Sequence, residues 1–546
     1  MNSTRNVLGR VPAWLWVALL LALWLSGLGL APLIDVDEGA FSEASREMLA
    51  SGDWGHTTLN GADRFDKPIL IYWLQAGSMA LFGVNEFAAR LPSALAALMW
   101  CLAALRFAQG WLGPQVERAA VGIVATSLGV MLIGRAATAD ALLNALMCWS
   151  CLDLWRHLDT GEKAPLRRAF FWMGLGLLTK GPVACLVPGM AVVLYLLSMG
   201  QLRRLREVLG DPLAWVIVLC TAVPWYAYAL HRHGMAFIDG FILQHNVNRF
   251  MQAKEGHGGS PLYTLLVAPL LLLPWTPLLA GVGQRLGKAW ATPATRFLLC
   301  WSGFALLFFS LSNTKLPHYL LYGLTPLMLL CAQALAGLRS RALGLALAAS
   351  QLLLFGLLSW SQQVAGWLAD RTTDPLYHTL LSTASPGPAW WLLAAVTAVW
   401  LLIWCWPKGC LTDKAVLGAL LGAFWVVLAV LPWWADTLQG PVRDLAVQAR
   451  QVSHATEAPF HGSAPKVLQW QTRQPSFAFY LGAPTPAGAP SPGALALART
   501  DRLPGDGRWR AVAESRGFAL VTPTESAVRP LLPASASSSP ESNARP

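Results

Sequence analysis

Apolar stretches of about 20 residues, each enough to cross roughly 30 Å of hydrocarbon as a helix, recur along this chain from near its start to about residue 435. A segment in hydrocarbon must satisfy every backbone N–H and C=O internally, so this recurrence prescribes a bundle of helices. About thirteen candidate spans are expected, the first over 11–32. The others lie near 87–105, 119–134, 139–155, 169–180, 182–199, 212–230, 262–282, 296–312, 319–338, 342–366, 389–406 and 415–435. Composition agrees, with 55% hydrophobic residues, 13% charged residues and 27 Trp, a balance that a water-soluble fold of this length does not carry. The first span follows Arg5 and Arg10, exceeds a signal-peptide core and has no small-residue cleavage site after it. It reads as a retained anchor.

Basic loops resist export, and the short alternate loops are basic: Arg167-Arg168, Arg203-Arg204 with Arg206, Arg285 with Lys288, Arg339 with Arg341, and Lys408 with Lys414. Those loops and the N-terminus are therefore expected on the cytoplasmic side of the membrane. The segments around 33–86, 231–261, 312–318 and beyond 436 then lie on the opposite, external face. The same topology accounts for the net charge of +11 without a nucleic-acid partner, because the basic residues are dispersed over short turns. All nine Cys fall in spans or, for Cys410, in a cytoplasmic turn, which leaves none for an exported disulfide; Cys148-x-x-Cys151 reads as packing.

Three units are expected: a transmembrane domain over 1–435, a small external α/β domain over 436–523 and a Ser/Pro/Ala-rich disordered tail over 524–546. β-Favouring runs such as Lys466-Val-Leu-Gln-Trp470 and Ser476-Phe-Ala-Phe-Tyr480 support the second. Within the first external loop, Glu38 to Leu49 has helical periodicity and suits an amphipathic helix on the outer membrane surface. Ser51-Gly52 stops it, and Pro68 opens another helix through Tyr72, Trp73 and Phe82.

A transporter would carry ionisable residues midway along its spans, whereas here the spans are nearly clean and charge gathers at the outer face. The first loop holds Asp35, Asp37 and Glu38, then Asp63, Arg64, Asp66 and Lys67. A carboxylate such as Asp37 or Glu38 suits a general base toward an acceptor hydroxyl, and a lysine beside Pro68 suits a lipid phosphate. A solvated acidic loop is the plainer alternative. A second outer loop contributes His245 and Arg249, four apart; on a helix, the imidazole faces a metal held with Asp66 while the guanidinium grips phosphate oxygens. The third brings Lys315, His318 and Tyr319 to the mouth of a span, where anchoring at the membrane surface also accounts for them. Two shorter turns add Arg135 with Asp140, and Lys180. Asp140 also suits the cap of the next span. Convergence of five turns on one face fits an anionic lipid headgroup.

Together these segments resemble the aminoarabinose transferases of lipid A, within the membrane glycosyltransferases of the protein O-mannosyltransferase type. The resemblance covers about residues 12 to 330 through Asp35-Val-Asp37-Glu38, Arg46-Glu-Met-Leu49, Ser51-Gly-Asp-Trp54, Arg64-Phe-Asp66-Lys67-Pro68, Tyr72-Trp73, Phe82-Gly83 and Arg90-Leu-Pro92. It continues in Thr179-Lys180-Gly-Pro182, His245 with Arg249-Phe250, and Lys315-Leu-Pro-His318-Tyr319. It implies the GT-C fold, an all-α polytopic bundle with interfacial helices in the first loop, and a polyprenyl (undecaprenyl) phosphate-linked sugar as donor. It implies further that Asp37 is the catalytic aspartate and Asp140 a second functional one. Lys67 would contact the carrier phosphate, Asp66 and His245 would hold a divalent metal ion, and Lys315 and Tyr319 would line the donor pocket. The chain has Ala40 and Phe41 where the aminoarabinose transferases usually have Arg and Tyr, and Asp66 where they have Glu. The expected reaction is an inverting single displacement onto a periplasmic lipid or glycan, lipid A among them. An oligosaccharide ligase or polymerase, or a transporter of lipid-linked sugars, are the alternatives.

Overall fold

The structure is a computed structural model that describes residues 12–247, 262–338, 340–387, 390–407, 409–457 and 467–524, less the side chains of 245–247, 357–358, 390 and 453–457. Arg249 and the side chain of His245 thus lie outside the described residues. The chain is mostly helical, as its apolar runs demand. Among the described residues, Glu86–Leu112, Pro212–His233, Pro293–Leu311, Pro317–Ala336 and Leu411–Val452 are long and apolar enough to cross a membrane. Two bent pairs raise the number to seven if each is one span. In one, Glu117–Thr126 and Leu128–Gly134 meet at 63° around Ser127. Other expected spans are shorter apolar helices, such as Ala13–Leu25 and Val183–Ser198.

The largest buried cluster runs through the bundle, and its indoles find polar partners: Trp100 donates to Thr325 at 3.1 Å, Trp275 to Thr126 at 3.0 Å, and Trp301 to the Tyr322 carbonyl at 2.8 Å. Where hydrocarbon surrounds the helices, such interhelical hydrogen bonds and close packing replace the hydrophobic effect as the adhesive. Arg167 and Arg168, expected in a loop, lie instead within the helix Lys163–Lys180, with Arg168 on Asp153 at 2.6 Å and Arg167 on Asp211 at 3.1 Å. Cys148 and Cys151 are buried and unbridged, as packing residues.

The first loop folds into the helix Asp37–Ser51, a small hairpin of β1 (Thr58–Leu59) and β2 (Ala62–Asp63), and the helix Leu70–Phe82. The first helix was expected on the membrane surface. Instead it is buried from Glu38 to Met48, against Leu70–Phe82 on one side and the C-terminal helix Pro475–Leu481 on the other. Gly39 makes that contact possible, since a Cβ there would lie 2.5 Å from the Ser476 amide nitrogen.

The C-terminal domain is a four-stranded sheet of β3 (Val467–Trp470), β4 (Leu495–Arg499), β5 (Trp509–Ser515) and β6 (Phe518–Pro523) in the order β3-β4-β6-β5. Only β3 and β4 run parallel. Its core joins Phe477, Leu497, Phe518 and Leu520 to Leu445 of the helix Leu431–Glu457. That helix contains the expected boundary at 435/436 and runs from the bundle into the domain with no linker. The helix Pro375–Ser382, in a stretch that offers no sequence motif, adds Leu376 and Leu380 to the same core, and Arg499 fixes its start through Asp374 at 2.5 Å.

Candidate functional site

The ends of three helices build one polar cluster. Asp140 opens the helix Asp140–Thr160, Lys180 closes Lys163–Lys180, and Tyr322 lies in the first turn of Leu321–Ala336. Lys180 is hydrogen-bonded to Asp140 and donates to the Tyr322 hydroxyl at 2.9 Å, and that hydroxyl donates to Asp140 at 3.1 Å. His318, in the short helix Pro317–Leu320, brings Nε2 to 3.7 Å from the same carboxylate oxygen, and the Lys180 ammonium stands 4.9 Å from the centre of the Tyr319 ring. Four of the residues expected from separate turns therefore meet. Tyr322 was not expected, because an aromatic residue inside an apolar run reads as packing; its place one helical turn beyond His318 was the available signal.

Beside this cluster the first loop contributes a second. Asp66 accepts from Lys67 at 2.7 Å on one oxygen and from Arg64 at 2.9 Å on the other, and Arg64 also donates to the Tyr72 hydroxyl at 3.2 Å. Both Asp66 oxygens thus meet cations, and the side chain of His245, its expected partner in holding a metal, lies outside the described residues. The Lys315 ammonium is buried and bonds to the Ser310 carbonyl, with no carboxylate partner among the described residues; burial lowers its pKa.

Asp37 links the two clusters. It is exposed at the start of the loop helix, and the charges of Asp140, Asp66, Lys67 and Lys180 all reach it. Removal from bulk water raises its pKa, Asp140 and Asp66 raise it further, and the two lysines oppose them. Its neighbour Glu38 is fully engaged: one oxygen accepts from Arg90 at 2.9 Å and the Ala137 amide at 2.7 Å, the other from Arg90 at 2.8 Å and the Ile34 amide at 2.9 Å. Arg135 caps the helix Ala13–Leu25 by donating to the Leu23 carbonyl at 3.0 Å.

The loop is held by the C-terminal domain. Asp35 accepts from the Ser476 amide at 2.9 Å and from its hydroxyl, Tyr480 accepts from the Leu33 amide at 2.7 Å, and Arg46 reaches the Gly482 carbonyl at 3.0 Å. Burial pushes the Asp35 pKa up to about 7 against the opposing Ser476 hydrogen bonds. A carboxyl whose pKa rises on folding binds more protons in the folded state, so its contribution to stability declines as pH climbs from the ordinary aspartate range through 7. The thermal stability of wild-type protein should therefore fall over that window, and Asp35→Asn should flatten the fall; an unchanged slope in the variant would reject the assignment.

Residues 66–228 match the family model described as dolichyl-phosphate-mannose-protein mannosyltransferase. The undecaprenyl phosphate-α-4-amino-4-deoxy-L-arabinose arabinosyl transferase of Pseudomonas paraeruginosa is 32% identical over 409 residues, 72% of this chain and 71% of that protein. The crystal structure of ArnT from Cupriavidus metallidurans in the apo state superposes with a TM-score of 0.76 at 21% identity, covering 94% of this chain and 98% of that one. Its undecaprenyl phosphate-bound form gives 0.74 at 21% identity, covering 93% and 97%. On sequence and on fold, this chain belongs to the family of the undecaprenyl phosphate-aminoarabinose arabinosyl transferases.

Proposed function

We propose that this membrane glycosyltransferase moves a sugar from undecaprenyl phosphate to an acceptor at the outer leaflet, with Asp37 as base and Lys67, Lys180 and Lys315 as the cations that receive the carrier phosphate. The observation that carries the reading is Asp37 itself, an exposed residue whose carboxylate lies within the electrostatic reach of Lys67 and Lys180. Asp37 takes the proton of the acceptor hydroxyl as its oxygen attacks the anomeric carbon; the bond from that carbon to the phosphate oxygen breaks, and the phosphate leaves with the electron pair. Attack opposite the leaving group inverts the anomeric centre. Lysines beside the departing phosphate favour the transition state because negative charge grows on the phosphate as the bond breaks. Asp140 fixes Lys180, Tyr319 and Tyr322 stand against its ammonium, and His318 approaches the Asp140 carboxylate. Arg249 and His245 belong to the same reading through the family motif. So does the topology of about thirteen spans with a cytoplasmic N-terminus and a periplasmic external domain.

The relatives' names give the sugar as 4-amino-4-deoxy-L-arabinose, which makes undecaprenyl phosphate-aminoarabinose the first donor to try, with lipid A as acceptor. Purified protein given both should yield lipid A heavier by one such sugar. Lys67→Ala and Lys315→Ala should each lower kcat/KM by about 10- to 100-fold, the scale of one charge-assisted phosphate contact, and weaken binding of undecaprenyl phosphate without its sugar. Normal carrier affinity in both folded variants would remove these lysines from the phosphate site. No mass shift with this or other polyprenyl-phosphate sugars would remove the reading as a whole.

A further inference from the structure

The first loop carries another cluster of side chains that the transfer reaction does not use. β1 and β2 pair antiparallel, Thr58 with Asp63 and Leu59 with Ala62, around the turn Asn60-Gly61, where both residues have positive φ, 55° and 76°. Beyond the paired residues, the Arg64 amide donates to the Thr57 carbonyl at 2.9 Å and continues the ladder. The hairpin sets His56 at the start of one arm and Asp63 at the end of the other. Facing them is His233, the last residue of the helix Pro212–His233. The two imidazole rings lie 4.4 Å apart between centres, and the Asp63 carboxylate lies 3.2 Å from His56 Nε2 and 3.5 Å from His233 Nδ1. One ligand atom from each residue falls within 4.8 Å of the others.

Two features separate this cluster from a solvated charge group. Both imidazole side chains are only 10% exposed, whereas the carboxylate is half open to solvent. His56 Nε2 also lacks any partner with hydrogen-bond geometry, its approach to Asp63 notwithstanding. A buried ring nitrogen left in this state, aimed at a second imidazole and a carboxylate, is short of a ligand. Two neutral imidazole nitrogens and one carboxylate oxygen form a borderline donor set. It suits zinc and neighbouring divalent metals rather than the all-oxygen shells of magnesium or calcium. Ligand atoms around a tetrahedral zinc stand about 3.3 Å apart. The two contacts to Asp63, one to each of its carboxylate oxygens, are near that value, and no separation within the set of three ligand atoms needs to close by more than about 1.5 Å.

We infer that His56, Asp63 and His233 bind one divalent transition-metal ion of the zinc type, and that the ion fastens the hairpin of the first loop to the end of the helix Pro212–His233. The same seam also holds Trp225 donating to the Gly55 carbonyl at 3.1 Å, Arg232 on Asp53 at 2.7 Å, and Phe65 packed edge-on against His233 at 5.0 Å. Phe65 leads directly into Asp66 and Lys67, so a metal that fixes the hairpin also fixes the lysine proposed for the carrier phosphate. None of its three ligands belongs to the Asp66 and His245 pair expected from the family motif.

The test is a metal count. Full-length, tag-free protein in detergent is stripped with a chelator, loaded with zinc, desalted and analysed by mass spectrometry of the metal, with cobalt as a second probe. The His56→Ala/His233→Ala double variant should retain one equivalent fewer than wild type. Asp63→Asn, at an exposed position that folding tolerates, should bind at least about ten-fold more weakly. Zinc should also slow hydrogen exchange over residues 56–67 in wild type and leave it unchanged in Asp63→Asn. Equal metal content in wild type and both variants overturns the site, and metal binding with no change in exchange overturns its fastening role.

Discussion

Asp37→Asn is expected to lower sugar transfer by about 100-fold or more while the protein remains folded and still binds its carrier lipid. An amide keeps the shape of the side chain and removes its capacity to take a proton, and losing a positioned base generally costs that much. The residue is exposed at the start of its helix, and among the described residues no hydrogen bond or ion pair is made through its carboxylate, so the amide should be accommodated without loss of a contact. The same assignment fixes the pH profile. Only the carboxylate accepts a proton, so activity falls as pH drops through the pKa of Asp37. That pKa is raised, first by removal from bulk water and then by Asp140 and Asp66, so the acid limb should lie above the range of a free aspartate. Asp140→Asn removes one of the raising charges and leaves the Lys180 ammonium without its carboxylate, two changes that act in the same direction. The acid limb of that variant should therefore move to lower pH, whatever happens to its maximal rate. A kcat profile in which Asp37→Asn keeps the acid limb of wild type would assign the base elsewhere.

The outer-face chemistry was legible because the bilayer simplifies the problem. Charge is excluded from spans, so the few polar turns of a chain such as this must lie at a surface, and alternate basic loops say which turns share one. That reasoning placed Asp140, Lys180, His318 and Tyr319 on one face, where the structure brings them into contact. It failed where partners are far apart in sequence and ordinary in type. Ser476 on Asp35 spans 441 residues, and Tyr480 on Leu33 spans 447, and neither serine nor tyrosine in a soluble-looking domain signals a contact with the membrane loop. The amphipathic pattern of the helix Asp37–Ser51 was read correctly as a helix, yet periodicity shows only which face is polar and not what covers it. Here the cover is the C-terminal helix Pro475–Leu481, admitted by the missing side chain of Gly39. His56 and His233 were hidden by the same arithmetic: their spacing of 177 residues has no local signature, unlike the short ligand spacings by which metal sites are usually read.

Arg90→Met should destabilise the protein by about 3–5 kcal/mol, the cost of leaving a buried carboxylate without its cation. Arg90 and Glu38 are both nearly inaccessible, and the guanidinium does more than pair: it donates to the carbonyls of Leu28 at 2.9 Å, Ala31 at 2.6 Å and Pro32 at 2.8 Å. It thereby ties the chain leaving the first helix to the helix Glu86–Phe107, and Glu38 extends the tie to the turn at Ala137. Burial alone would raise the Glu38 pKa, but Arg90 and the amides of Ile34 and Ala137 together carry it below the ordinary range. A carboxylate depressed on folding stabilises the protein above its unfolded pKa and loses that contribution as pH falls through the folded one, so at neutral pH the pair acts at full strength. Glu38 was expected among the catalytic carboxylates, and the double variant Glu38→Gln/Arg90→Met separates the two roles. If Glu38 only fastens the loop, removing both charges relieves the orphaned carboxylate, so the double variant should be more stable than Arg90→Met and recover much of the transfer rate. If Glu38 takes a proton in the reaction, stability returns and transfer does not. Thermal unfolding in detergent and the lipid A mass assay, run on the same three preparations, decide between them, and the four donors already on its two oxygens favour the first outcome.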